Sequence, residues 1–154
     1  SEIALGTEKN ILLSESYPVG AVKAYSKCGE DKEANFSYIN SVLSPLLPID
    51  TKSFVAIGGT ATSIASILSG EKEYKKSVTH GFSIKTSELK ALTDKLFEVG
   101  LSGRKEISSI GEKRAEIIAS GAAILTVLAE RLGAEEIVAS ESDNLYGYLK
   151  VFVK

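Results

Sequence analysis

Hydrophobic residues along the chain recur in some segments with the two-residue period of strands and in others with the longer period of helices, about 3.6 residues. Strands are predicted at 2–5, 11–16, 54–57 and 137–139, with a strand or an extended loop over 78–85. Helices are predicted at 21–27, 34–47, 61–68, 87–99 and 112–132, and a last one from about residue 145. This order favours an α/β fold in which helices pack on a mixed sheet.

Residues at the ends and centres of these elements refine the prediction. Polar residues and a glycine over 6–10 join the first two strands into a hairpin. Thr86 is the predicted N-cap of its helix, and Gly133 is the predicted end of the longest one. The run 54–57 is apolar throughout, which predicts a strand buried on both faces. Gly121 interrupts the longest helix at a cost of about 1 kcal/mol, so we expect another backbone to pack against it.

The apolar run 54–57 leads into paired glycines and small hydroxyl residues, Gly58-Gly59-Thr60-Ala61-Thr62-Ser63. Glycine has no Cβ, so a ligand can approach its backbone closely, and the N–H groups at a helix start attract anions. The hydroxyls of Thr60, Thr62 and Ser63 are suited either to capping this helix or to binding a phosphate. The pattern predicts a phosphate- or nucleotide-facing turn, although an ordinary strand-to-helix turn explains it equally well.

Other polar residues are candidates for the same site. The loop 140–143 follows the last predicted strand, and ligands of such sheets bind at the carboxyl ends of the strands, so we expect it beside the glycine turn. His80, the only histidine, is either a general acid or base or a structural loop residue, and the second interpretation is favoured because no partner can be assigned. Lysines between glutamates form either a channel for an anion or a solvated face, the second again being favoured: Lys72, Lys75, Lys76 and Lys85.

Composition and charge narrow the classes of function. The chain has 154 residues, 44% hydrophobic and 25% charged, which is typical of one globular domain. A formal net charge of −2 gives no reason to expect nucleic acid or a membrane as a partner. The lone Cys28 allows no internal disulfide, and no signal peptide or long apolar segment is present, so we expect the cytoplasm. The chain begins with Ser1, which indicates a fragment or a processed chain, with removal of an initiator methionine as the alternative.

Several motifs together resemble the Ppx/GppA family, the exopolyphosphatases and guanosine pentaphosphate phosphatases of the actin/Hsp70-like superfamily. In chain order they are Tyr17-Pro18-Val19-Gly20-Ala21-Val22, the glycine turn, His80-Gly81-Phe82, Arg104, Gly111, Arg114, Ile117-Ile118, Gly121-Ala122-Ala123, Gly133-Ala134 and Ile137-Val138-Ala139-Ser140. The chain departs from the family where an Arg-Glu pair before a glycine is replaced by Leu145-Tyr146-Gly147. Asp143-Asn144, just before it, is predicted to cap the final helix.

The resemblance implies a ribonuclease H-like domain of the actin/Hsp70 ATPase type, with residues 1–154 as the second lobe of a two-lobed enzyme that here lacks its first strand. Ser1-Glu2 looks like the end of the family's phosphate loop, which implies that Glu2 lies near the metal and the attacking water and that Ser1 contacts phosphate. Further phosphate contacts are implied at Gly58, Gly59, Thr60, Ala61, Thr62 and Ser63. His80, Gly81 and Ser140 are additional candidates.

The implied activity is hydrolysis of the terminal phosphate of polyphosphate or of guanosine pentaphosphate, with Mg²⁺ or Mn²⁺ held mostly by residues outside this chain. The chain alone is expected to be inactive, since the other catalytic carboxylates belong to the absent loop and first lobe. A nucleotide-binding or regulatory relative without catalysis is the alternative, and a kinase-like relative is more distant. The missing strand would expose backbone edges, so we expect pairing with the N-terminal piece or a homodimer through the sheet.

Overall fold

The computed structural model describes residues 1–7, 9–49 and 53–143 of the chain. Within these ranges strands and helices form the predicted α/β architecture, with helices packed on a mixed sheet. The final predicted helix, Asn144 and the segment 145–147 lie outside the described residues. No helix in the described ranges is long and apolar enough to cross a membrane.

The strands form two separate sheets. The predicted hairpin consists of β1 (Glu2–Gly6) and β2 (Ile11–Ser16), paired antiparallel. The second sheet contains β3 (Val55–Ile57), β4 (Ser83–Lys85) and β5 (Glu136–Ser140) in the order β3-β5-β4, with β3 parallel and β4 antiparallel to β5. Among the described residues no ladder of hydrogen bonds joins the hairpin to this sheet, so each sheet presents unpaired strand edges.

The helices are α1 (Ala21–Cys28), α2 (Lys32–Val42), α3 (Gly59–Leu68), α4 (Lys76–Thr79), α5 (Thr86–Glu98), α6 (Gly100–Lys105) and α7 (Glu112–Leu132). The start of α2 is earlier than predicted because Asp31 caps it, accepting a hydrogen bond from the N–H of Ala34 (2.9 Å). The prediction that Thr86 is an N-cap is wrong: the residue is already helical, and its hydroxyl donates to the carbonyl of Ala134 instead. Gly133 ends α7 in the left-handed conformation (φ 66°), as predicted.

The long helix α7 separates two hydrophobic cores. On one side Ile118 and Ala122 pack in a core that α3, α5 and the sheet β3-β5-β4 complete. On the other side Ala123 and Val127 pack against α1 and α2. Both sides of the helix are therefore buried.

Gly121 lies where α7 crosses α1 and α3. A Cβ on this residue would stand 2.8 Å from Oγ1 of Thr60 and 3.3 Å from Cβ of Ala21, closer than side chains ordinarily pack. The expected close approach is present, but the atoms that face Gly121 belong to side chains and not to a backbone. This glycine lets α3, which begins at the glycine turn, lie directly against α7.

The expectation that β3 is buried on both faces is wrong. Phe54 and Ala56 pack against the core, whereas Val55 and Ile57 are 57% and 55% exposed. The reason is the position of β3 in the sheet: it pairs with β5 on one side, and among the described residues nothing pairs with its other side or covers its outer face. This strand therefore carries apolar side chains that the described part of the structure leaves exposed.

Candidate functional site

The carboxyl ends of β3 and β5 lie side by side and open into one cleft. The parallel register pairs Ile57 with Ser140, so the residues that follow them, Gly58 and Glu141, leave the sheet next to each other. The glycine turn and the loop 140–143 therefore converge, as the sequence predicted. The cleft they border has a volume of about 390 Å³.

The structure brings some of the predicted site residues to this cleft and leaves others elsewhere. The predicted residues that line it are Gly58, Gly59, Thr62, Ser63 and Ser140. Thr60 packs against Gly121, and Ala61 is buried in the core. Ser1 and Glu2 are not among its lining residues: the amino group of Ser1 donates to the carbonyls of Tyr17 and Val19 (2.9 Å to the former), and the exposed Glu2 begins β1. The roles assigned to these residues by resemblance stay predictions.

The glycine turn has the geometry that its sequence suggested. Gly58 has a φ of 105°, a conformation that side-chain-bearing residues rarely adopt, and it is the N-cap of α3. Thr60, Thr62 and Ser63 are themselves helical, so none of them caps α3, and the cap position makes no side-chain hydrogen bond. The first N–H groups of α3 therefore have no side-chain acceptor from the cap, and this start of the helix borders the cleft.

Arg114 is the principal cleft residue that sequence reasoning missed. It lies in the first turn of α7, lines the cleft, and places its guanidinium directly on the backbone of Gly59. Within the described ranges the guanidinium has no ion-pair or hydrogen-bond partner. The resemblance put Arg114 in the right helix, but nothing in the sequence showed that α7 starts beside the glycine turn. The N-cap of α7, Gly111, also lines the cleft and lacks a side-chain cap.

This arrangement can bind an anion. Two helix starts, those of α3 and α7, border the cleft, and each carries partial positive charge from its unpaired N–H groups. The guanidinium of Arg114 adds a full charge and a planar set of donors that matches two phosphate oxygens. The absence of a Cβ on Gly59 is what allows the guanidinium to sit there.

Glu141, which the sequence predicted only as part of the loop 140–143, is fixed at the cleft by hydrogen bonds. Its Oε1 accepts from the hydroxyls of Tyr74 and Thr79, and its backbone N–H donates to Nδ1 of His80 (3.2 Å). Burial acts to raise the pKa of this carboxyl, but the hydrogen bonds from Thr79 and Tyr74 and the positive charge of Lys76 outweigh it and lower the pKa from its ordinary value. Glu141 is therefore ionised at neutral pH.

The remaining candidates have mainly structural contacts. Nδ1 of His80 accepts the hydrogen bond from Glu141, which agrees with a structural loop residue. Gly81 has a positive φ (81°), and its N–H donates to the carbonyl of Ala139, so it ties its loop to β5. Lys75 forms an ion pair with Glu71 (2.6 Å), as a solvated face would. Hydrogen bonding to Glu71 raises the pKa of Lys75.

Substitution of Gly59 by alanine is expected to weaken anion binding in the cleft about tenfold, or about 1.4 kcal/mol. The new Cβ would stand 2.2 Å from Nη1 and 2.6 Å from Cζ of Arg114, so the guanidinium must move away. Because the displaced group is the flexible end of a side chain, the free energy of unfolding should change little. Calorimetric titration of the protein with inorganic tripolyphosphate measures the effect.

Gly111→Ala is the matched control, because it adds a methyl group to the same cleft where no heavy atom lies within 4 Å and φ is an ordinary −76°. It should bind tripolyphosphate nearly as the unmodified protein does. Equal affinities for the Gly59→Ala and Gly111→Ala proteins would show that the position of the guanidinium does not matter for binding.

Comparison with known proteins gives a consistent result. The model of the Ppx/GppA phosphatase family matches residues 1–143. A search of curated proteins by sequence found no match. Among solved structures, the Aquifex aeolicus member of the Ppx/GppA family superposes with a TM-score of 0.86 at 20% identity, covering 99% of this chain and 54% of its own. The type II crystal variant of the Aquifex aeolicus phosphatase gives 0.83 at 21% identity, covering 91% and 49%.

An exopolyphosphatase from Cytophaga hutchinsonii has a TM-score of 0.72 at 16% identity, covering 91% of this chain and 49% of its own. At these identities the likeness shows the fold. The chain spans about half the length of the solved structures that it matches.

Proposed function

Because this chain belongs to the Ppx/GppA phosphatase family, we propose that it is the phosphate-binding lobe of a two-lobed hydrolase that cleaves a terminal phosphoanhydride. The substrate classes that the family suggests are inorganic polyphosphate and guanosine pentaphosphate. The observation that supports this function most directly is the guanidinium of Arg114 on the backbone of Gly59, inside the cleft that the two parallel strands open.

Phosphoanhydride hydrolysis depends mostly on positioning and on donors that stabilise negative charge on the transferred phosphoryl group. The described residues offer such donors in Arg114 and in the starts of α3 and α7. A carboxylate that orients the attacking water is also required, and by resemblance Glu2 has this role. Glu2 lies at the start of β1, outside the lining of the cleft, so we infer that the attacking water is held in a region shared with the first lobe.

The divalent cation that the family implies does not fit this chain on its own. Among the described residues there is no group of three or more carboxylate, histidine or cysteine side chains that could hold a metal ion. In the proposal Mg²⁺ or Mn²⁺ therefore takes its protein ligands mostly from outside the chain. The residues described here bind and orient the phosphates.

The proposal also concerns the partners of this lobe. Open edges on both the hairpin and the sheet, and the exposed Val55 and Ile57 on β3, favour an additional strand from the N-terminal lobe or a homodimer that pairs through the sheet. This chain spans about half the length of the solved structures that it matches, which is the length expected of one of two lobes. We propose a cytoplasmic location for this lobe.

Phosphate release by the full-length protein and by the isolated chain tests this proposal. With Mg²⁺ or Mn²⁺, the full-length protein is expected to release orthophosphate from polyphosphate or guanosine pentaphosphate. The isolated 154-residue chain should release none, and circular dichroism of the same sample should show that it is folded. Release of orthophosphate by the isolated chain would refute the proposal that activity depends on the other lobe. If the full-length protein bound either compound without releasing phosphate, the alternative of a regulatory nucleotide-binding relative would take its place.

A further inference from the structure

We propose that Ser109, in the loop before α7, donates a hydrogen bond to the same phosphoryl group as Arg114, so that the start of α7 is a phosphate subsite of the cleft. This inference rests on the proposed function, because it takes Arg114 as the phosphate-binding residue. Ser109 belongs to none of the motifs that carry the family resemblance. It lies just before Gly111, the N-cap of α7, and Arg114 follows in the first turn of the helix.

Ser109 combines deep burial with an unused hydroxyl. The residue is 8% exposed and lines the cleft. In the part of the chain that the structure describes, its hydroxyl has no hydrogen-bond partner, yet it is not enclosed, unlike the unpartnered polar atoms of Asn35, Ser66, Ser120 and Arg131. The hydroxyl oxygen therefore keeps some contact with open space, and the cleft is the space that Ser109 lines. A hydroxyl left without a partner costs free energy, which a ligand in the cleft would recover.

The loop holds the backbone of Ser109 in place. Ile110 is buried in the core that α3, α5 and the sheet complete, and Ile107 packs against the same core. The N–H of Ile107 donates to the carbonyl of Arg104 and the N–H of Ile110 to that of Ile107, both at 3.2 Å. A donor on a backbone that is already fixed loses little freedom when a ligand binds.

The start of α7 offers further donors beside Ser109. Its N-cap, Gly111, makes no side-chain hydrogen bond to the first turn. The N–H groups there lack helical acceptors, and the helix dipole favours an anion next to them. Ser109 precedes these N–H groups, Arg114 follows them, and both side chains line the same cleft. One phosphoryl group at this position can accept from the hydroxyl, the guanidinium and the helix start together.

Neutral donors are important here because the cleft carries opposing charges. Arg114 is the only full positive charge among the described lining residues, whereas Glu141, which its hydrogen bonds keep ionised, lines the same cleft. Net charge alone therefore does not bind a polyanion, and hydrogen bonds directed at its oxygens must contribute. Thr62 and Ser63, 5% and 6% exposed, also line the cleft, and their hydroxyls likewise have no partner in the described ranges.

The substitution Ser109→Ala tests the inference in calorimetric titrations of the protein with inorganic phosphate and with tripolyphosphate. Both ligands should bind about tenfold more weakly, because a hydrogen bond to a charged oxygen is lost in each case. Inorganic phosphate is a single phosphoryl group, so an equal loss for the two ligands indicates that Ser109 and Arg114 hold the same one. Arg114→Gln should also weaken both.

Ser108→Ala is the matched control. It removes a hydroxyl from the neighbouring position of the same loop, but Ser108 is exposed and does not line the cleft. Its affinities for both ligands should stay within about twofold of those of the unmodified protein. Equal losses in the Ser108→Ala and Ser109→Ala proteins would show that the loop, and not the hydroxyl of Ser109, determines binding.

The melting temperature without ligand separates a role in binding from a role in folding. Because the hydroxyl has no partner to lose, the Ser109→Ala protein should unfold at the same temperature as the unmodified protein or at a higher one. A lower melting temperature would mean that the hydroxyl stabilises the loop, and the inference would be wrong.

The remaining outcomes distinguish this inference from the function on which it rests. If Arg114→Gln weakens both ligands and Ser109→Ala weakens neither, Ser109 does not bind phosphate and the proposed function is untouched. A loss for tripolyphosphate alone in the Ser109→Ala protein would also refute the shared phosphoryl group. If Arg114→Gln leaves the binding of both ligands intact, the phosphate-binding role of the cleft fails, and the inference fails with it.

Discussion

Replacing Arg114 by glutamine is expected to lower the rate of phosphate release by the full-length protein about 100-fold. The guanidinium is the only full positive charge among the described lining residues of the cleft, and it sits against Gly59 at the carboxyl end of β3. Glutamine is shorter, uncharged, and cannot offer two parallel N–H groups to a phosphate. Steady-state measurement of orthophosphate release at saturating and limiting substrate gives kcat and kcat/KM separately.

Lys113→Gln is the matched control for this substitution. It removes the same charge from the neighbouring position of α7, but Lys113 is exposed and does not line the cleft, so the rate should remain within about twofold. Arg114→Lys keeps a charge without the planar fork and should fall between the two. If the Arg114→Gln and Lys113→Gln proteins have equal rates, the cleft is not where the phosphoryl group is held.

Replacing Arg104 by alanine is expected to lower the free energy of unfolding by about 3 to 5 kcal/mol. Arg104 is fully buried and joins three parts of the domain: its guanidinium donates to the carbonyls of Ala115 (2.7 Å) and Leu96 (2.8 Å) and to Oε1 of Glu30 (2.7 Å). Leu96 lies in the last turn of α5, where carbonyls have no helical partner. Alanine would leave a cavity together with unpaired polar groups. Urea unfolding monitored by circular dichroism measures the change.

Glu30→Gln separates the ion pair from the buried hydrogen bonds. The side chain of Glu30 is 44% exposed, so water replaces part of what the pair supplied, and the loss should stay below about 1 kcal/mol. A loss of similar size in the Arg104→Ala and Glu30→Gln proteins would mean that the bonds to Leu96 and Ala115 contribute little. The free energies of unfolding of the two variants are measured in the same denaturant, so they can be compared directly.

The elements of the fold were predictable where local patterns decide them. The periodicity of 112–132 and Gly133 after it predicted α7 with both ends correct, and the glycine and polar residues over 6–10 predicted the hairpin. The burial of β3 was not predictable, because it depends on how many strands flank it in the sheet. The predicted N-cap at Thr86 was wrong for a similar reason. Its hydroxyl donates a hydrogen bond to the carbonyl of Ala134, which lies 48 residues away in the sequence.

The candidate site was also predictable from the sequence only in part. The glycine turn and the loop 140–143 were predicted to meet because parallel strands share a carboxyl edge. Arg114 was recognised as part of a family pattern but not as part of the cleft, since its neighbour Gly59 is far away in sequence. Glu141 was visible only as one polar residue in a loop. Its fixed position depends on hydrogen bonds from Tyr74 and Thr79, which are distant from it in the sequence.

The position of α7 links the proposed phosphate site to the stability of the domain. The core that α3, α5 and the sheet complete includes Ala115 and Ile118, so it supports the first turns of α7, where Arg114 stands. Arg104 binds the carbonyl of Ala115, the residue next to Arg114, and thereby fastens that turn to α5. Sequence changes around Ala115 and Arg104 are therefore expected to alter the position of Arg114 in the cleft.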